Sequence, residues 1–301
     1  MSSHRIEVAD QSAWQHDDEA DGGTFHTFDQ LALAGDDYGW HKVHVWLPPG
    51  YFDSTRRHSV IYANDGEQVF FGGGIGGNWR LQRVVQESAD SGAISELPIL
   101  VGIHWRERDR EYLHKPITRL PVGPVQLRHG GGLGQYSDYL ADCLVEFVDA
   151  NYRTIPDRQH RVILGSSHGG LAAFFTGVSY GDVFGQVIAM SSSFWAGTMK
   201  PLRRAELYAL IKGDLHQVER RPRIYVDWGL QRIDGHHNKF IEAWATSRGE
   251  AMLDILVQDH GYTPGVDLMA VADPDGHHNE DSWRRRLPEA LRFALEGQTD
   301  T

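Results

Sequence analysis

The chain has 301 residues, 41% of them hydrophobic, and a formal net charge of −12. That length suits one large α/β domain or two small ones, with ample residues for a buried core. The acidic balance argues against nucleic acid or an anionic membrane surface as a partner.

Residues 1–24 read as an acidic N-terminal arm. They open Met-Ser-Ser-His-Arg-Ile with no apolar leader region, and Asp17 to Asp21 followed by Gly22-Gly23 has the look of a solvated loop. No apolar run approaches the roughly eighteen residues of a membrane helix, so the cytoplasm is the expected location.

From 25 to 301 the pattern is that of a single domain. Short apolar or alternating runs predict eight strands, at 25–33, 41–47, 58–63, 98–104, 161–165, 185–190, 222–228 and 266–272. Runs such as Val60-Ile-Tyr-Ala63 and Ile99-Leu-Val-Gly-Ile103 have apolar residues on both faces, as in a parallel sheet. Helical spacing is expected at 79–90, 136–152, 169–179, 202–217, 238–258 and 280–296. Strands alternating with helices predict an α/β fold, its sheet mostly parallel with helices on both faces. The segment 105–135, rich in Gly and Arg, is expected to be a long loop forming a wall or lid. Cys143 is the single cysteine, so no intrachain disulfide forms, and it reads as a small buried hydrophobe.

The most telling stretch is Arg161-Val-Ile-Leu-Gly165-Ser-Ser167-His-Gly169-Gly170-Leu. G-x-S-x-G by itself arises by chance in roughly one chain of this length in ten at average Gly and Ser usage. Here an apolar strand precedes it and a small-residue helix follows, which is the context of a nucleophile elbow. A serine hydroxyl is a weak nucleophile and needs a base plus a group that orients the base. On this fold the chain order is Ser, then Asp or Glu, then His. Ser167, Asp234 and His278 fit it, each on a loop after a predicted strand. His277 is the neighbouring alternative base, His237 a remoter one, and Asp227, at the end of its strand, the alternative acid. Two amides should form the oxyanion hole: that of His168, after the nucleophile, and that of Glu67 or Gln68, in the loop after Val60-Ile-Tyr-Ala63. Trp105, Phe194, Trp195 and Trp228 are candidate substrate contacts. Arg106, Arg108 and Arg110 are candidate partners for an anionic group or an ordinary solvated run.

Taken together, several segments make the chain resemble the putative-esterase (esterase D-like) group of α/β-hydrolases, which includes enterochelin esterases, feruloyl esterases and mycolyltransferases. They are Val45-Trp-Leu-Pro-Pro-Gly-Tyr51, Ile61-Tyr-Ala-Asn-Asp-Gly66, Arg110-Glu-Tyr112, the elbow itself, Asp182 to Trp195, and His278-Asn-Glu before Trp283. The resemblance implies an α/β-hydrolase fold, a Ser-Asp/Glu-His triad and acyl-ester chemistry, with Ser167 and His278 matching nucleophile and base. It departs at His168, where Met is commoner, and at Gly229-Leu-Gln-Arg-Ile-Asp234, where Gly-Thr-x-Asp/Glu is more usual. The expected activity is hydrolysis of a small-molecule carboxylic ester without a cofactor. Acyl transfer on the same triad is the near alternative, and a non-catalytic binding module is another. A metal-dependent hydrolase is a third, because Asp-Gly-His-His-Asn occurs twice, at 234–238 and 275–279, and His and Asp are common zinc or iron ligands.

Overall fold

A computed structural model describes residues 3–33, 39–72, 78–118, 128–196, 220–232 and 239–296. Its strands in chain order are β1 (Ser3–Val8), β2 (Gln11–Asp17), β3 (Thr24–Leu31), β4 (His41–Leu47), β5 (Val60–Asn64), β6 (Ile99–His104), β7 (Pro116–Thr118), β8 (Arg128–Gly130), β9 (Arg161–Ser166), β10 (Gln186–Met190), β11 (Arg223–Gly229) and β12 (Leu268–Asp273). The helices are α1 (Gly66–Phe70), α2 (Leu81–Asp90), α3 (Arg108–Tyr112), α4 (Leu133–Asp138), α5 (Val145–Asn151), α6 (Ser167–Ser179), α7 (Lys239–His260) and α8 (Glu280–Glu296).

Ten strands form one sheet in the order β1-β2-β3-β4-β6-β5-β9-β10-β11-β12, and β7 pairs with β8 alone. From β6 to β12 every ladder is parallel, and from β1 to β4 and on to β6 every ladder is antiparallel. Alternate residues of the central strands enter opposite cores. Ile163 joins the layer under α4 to α7, whereas Val162 and Leu164 join the layer under α1, α2 and α8. Two buried faces are why these strands read as continuous apolar runs.

All eight expected strands are present, and the sheet is larger and more mixed than expected. The segment read as an acidic arm contributes β1 and β2. They close as a hairpin around Ala9 and Asp10, both at positive φ (47° and 62°), with Val8 opposite Gln11. That is the backbone of a two-residue type I′ turn, built here without the Asn-Gly that usually announces one. The long loop at 105–135 is not structureless either: α3, the β7–β8 hairpin and the start of α4 lie in it. The helix expected at 136–152 starts at Leu133 and passes through a wider π turn at Tyr139–Leu144. Cys143 is half-buried and packs against the core. The helix expected at 202–217 lies outside the described residues.

Strand order reverses beside β5, because β6 pairs on one flank and β9 on the other. In open α/β sheets that switch point is where a crevice opens at the carboxyl ends of the strands.

Candidate active site

Three neighbouring strands end in a non-glycine residue with left-handed backbone: Asp65 after β5 (φ 58°), Ser167 after β9 (φ 54°) and Ser191 after β10 (φ 41°). Each costs of the order of 1–2 kcal/mol for an L-residue, so surrounding contacts must hold it.

At Ser167 the contacts are steric and polar. The turn from β9 into α6 is so tight that a Cβ on Gly165 would lie 2.1 Å from the Gly169 carbonyl oxygen. Asn64 Nδ2 donates to that same carbonyl at 2.9 Å, and Tyr136 OH donates to Asn64 Oδ1 at 2.7 Å. The end of β5 is thereby tied to the elbow. Asp65, beside Gly169, is held by a two-pronged ion pair with Arg108, whose Nε and Nη2 reach its oxygens at 2.7 and 2.9 Å. Burial alone would lower the Arg108 pKa; the facing Asp65 carboxylate outweighs it and raises it. Arg108 is thus committed to the scaffold.

The half-buried Ser167 Oγ lies 2.9 Å from His278 Nε2 and 3.1 Å from Ser193 Oγ. His278, on the loop between β12 and α8, is 2% exposed. Its ring meets Trp283 edge-on at 5.2 Å between centroids and lies 6.0 Å from Trp195. Its backbone N–H donates to Glu242 Oε1 at 2.8 Å. His277 is half-buried, and its N–H donates to Ser282 Oγ. Asp234 and His237, with the first Asp-Gly-His-His-Asn copy, lie outside the described residues.

Asp227 is fully engaged elsewhere. Arg286 from α8 clamps it through Nε at 2.9 Å and Nη2 at 3.0 Å. Ser191 N–H and Oγ donate to its Oδ1, and Tyr225 OH donates to its Oδ2. These bonds fill a carboxylate's lone pairs, so Asp227 serves as a buried anchor for strained Ser191. Arg286 also bonds Ser191 Oγ and Asp273 Oδ2, both at 3.0 Å, tying together the ends of β10, β11 and β12.

Of the two candidate oxyanion amides after β5, Gln68 N–H already donates to the Asp65 carbonyl at 2.8 Å. Glu67 N–H precedes the first bond of α1, among the leading amides that a helix leaves without an internal acceptor. Glu67's carboxylate is tethered to His44 Nε2 at 3.3 Å and Lys42 Nζ at 3.1 Å. The hydrogen bond from His44 holds it down at about 2. The His168 amide sits in the first turn of α6.

The aromatic candidates divide. Trp195 is close to His278 and 6.5 Å from Trp244. Trp228 is 4% exposed and packs against Gly249 of α7, and Phe194 packs edge-on against Phe174; both are core. Trp105 stacks on His104 at 5.0 Å and leans on the core. Among the described residues no three His, Cys, Asp or Glu side chains cluster as metal ligands. Asn64, Ser193, Glu242 and Arg286 were missed in the sequence. Asn64 stood inside a quoted motif, but Glu242 and Arg286 sit in helices whose spacing marks a face and not a partner.

A serine at a strained strand-to-helix turn over a parallel sheet, hydrogen-bonded to a histidine after the last strand, defines the protein as an α/β-hydrolase. Residues 39–294 match the Putative esterase family model. The chain belongs to that family, and so to the carboxylic ester hydrolases of this fold. It is 28% identical over 161 residues to the uncharacterized protein YbbA of Bacillus subtilis (strain 168), covering 52% of this chain and 58% of that one. It is 28% identical over 255 residues to the uncharacterized YjcH of the same organism, 83% of this chain and 90% of that one. The chain thus spans just over half of the first relative and most of the second. Among solved structures it resembles an IroE-like serine hydrolase from Shewanella oneidensis (TM-score 0.66, 22% identity, 86% of this chain and 76% of that one). It also resembles the enterobactin esterase FES from Shigella flexneri (TM-score 0.63, 15% identity, 91% and 59%). No helix among the described residues is long and apolar enough to cross a membrane.

Proposed function

We propose that the chain hydrolyses a small-molecule carboxylic ester through an acyl-enzyme on Ser167. The observation that carries this reading is the 2.9 Å contact between Ser167 Oγ and His278 Nε2 on a turn strained to φ 54°. His278 takes the Ser167 proton as Oγ attacks the ester carbonyl carbon. The oxyanion that forms accepts hydrogen bonds from the His168 and Glu67 amides. As the intermediate collapses, His278 hands the proton to the departing alkoxide, leaving the acyl group on Ser167. Water then attacks, His278 again taking and returning the proton, and the free acid leaves. Asp234, between β11 and α7 in the sequence, is the proposed third member of the triad. Trp195, against His278, flanks the substrate. No metal or organic cofactor enters the scheme.

The test is hydrolysis of a short-chain p-nitrophenyl ester by the wild type and by Ser167→Ala, with and without a chelator. Turnover lost in the variant and indifferent to chelator is expected. Turnover that survives the substitution and stops with chelator would replace this reading with a metal-dependent one.

A further inference from the structure

The mechanism above leaves a buried carboxylate unused. Glu242 stands in the first turn of α7 and is 1% exposed. Its Oε1 accepts the backbone N–H of His278 at 2.8 Å. A buried carboxyl group is costly unless its bonds are satisfied, and the structure shows one partner that satisfies it. That partner is the residue carrying the general base, whose imidazole is separated from the bonded nitrogen only by Cα and Cβ.

The carboxylate is also firmly mounted. One turn on in α7, Thr246 Oγ1 bonds the Gly229 carbonyl at 3.0 Å and the Glu242 carbonyl at 3.2 Å, fastening the start of the helix to the end of β11. Arg232 Nη2 donates to the same Thr246 hydroxyl. On the other flank the Gln231 amide donates to the Gly276 carbonyl, so the loop bearing His278 is stitched to β11 as well. The far edge of the imidazole points at Ser167. Glu242 therefore holds the backbone of the residue whose ring meets the nucleophile, and the chain order Ser167, Glu242, His278 is that of a hydrolase triad.

We propose that Glu242 is a positioning residue for His278. It fixes the histidine loop so that Nε2 meets Ser167 Oγ, and its charge favours the imidazolium that forms when Ser167 loses its proton. This rests on the serine mechanism proposed above.

The experiment compares Glu242→Gln, Glu242→Asp, Glu242→Ala and Ser167→Ala on the p-nitrophenyl ester, with folded content read by thermal melting. Gln keeps an acceptor for the His278 amide and removes the charge. Expected is a fall in kcat of roughly 10²-fold for Glu242→Gln, with KM within about twofold and a matching fall in the rate of Ser167 labelling by a fluorophosphonate. A wild-type kcat in Glu242→Gln, or a loss confined to KM, overturns the assignment while Ser167→Ala still reports on the mechanism. Should Gln fail to fold, Asp restores the charge, and it is expected to exceed Ala in kcat per folded molecule; equality of the two overturns the proposal. Activity in Ser167→Ala removes the mechanism and this inference with it.

Discussion

The two flanks of the sheet are built differently. In β10 all five residues are buried, and in β9 all but the first; in β1 four of six are exposed and none is fully buried. The parallel flank is covered by helices on both faces, while the outer antiparallel strands lie against water. Strain follows the same division. Asp65, Ser167 and Ser191 hold left-handed backbone at the ends of buried strands, each beside a polar anchor (Arg108, Asn64 or Asp227). In the antiparallel flank, positive φ at Ala9 and Asp10 is what the turn requires. Only the flank with two packed faces has the rigidity to hold a nucleophile in a costly conformation.

The sharpest way to test that contrast is at the nucleophile. Ser167→Ala and His278→Ala should each lower kcat by roughly 10³–10⁴-fold or more with little change in melting temperature. A melting temperature that collapses in both variants would mean that the pair holds the fold together. Next in size is the polar anchor. Arg286→Met strands Asp227 without its cation in a buried site and should cost about 3–5 kcal/mol in urea unfolding. Adding Asp227→Leu should recover much of that loss. A single variant within about 1 kcal/mol of wild type would show that Ser191 needs no such support.

Packing comes third. Ile163→Ala in β9 should cost about 3 kcal/mol. Ile6→Ala in β1, half-exposed, should change stability by about 0.5 kcal/mol and leave kcat alone. Equal costs would erase the distinction between the flanks.

The antiparallel flank should also register pH. Burial, with His4 and His16 nearby, pushes His26 of β3 down to about 4. The fold favours neutral His26, and the unfolded chain takes up its proton near 6.5. The contribution is therefore fully present above about 6.5 and is lost as pH falls from there towards 4. His26→Gln should flatten the urea midpoint between pH 7.5 and 4.5, and an unchanged slope would place the acid sensitivity elsewhere. Glu67 acts in a lower window: its contribution is fully present above about 4.5 and is lost as pH falls from there through about 2.

Local order along the chain determined a good deal. Short apolar or alternating runs marked the eight strands from β3 to β6 and β9 to β12, because a strand buried on one or both faces must show that burial in its own residues. Gly165 and Gly169 flanking Ser167 marked the elbow, because a turn with a Cβ 2.1 Å from a carbonyl admits only glycine there. The His278 loop followed from chain order. The tertiary structure alone decided the rest. Asp227 and Arg286 are 59 positions apart, and Glu242 and His278 are 36 apart. Nothing in local spacing says which of two nearby aspartates meets a guanidinium from α8, or that a polar residue in α7 faces the histidine loop. Helical periodicity identifies a face, and the packing of strands and helices brings that face to its partner. The β1–β2 hairpin escaped for the complementary reason: its faces are mostly wet, so its residues carry almost no burial signal, and only pairing with β3 makes it part of the sheet.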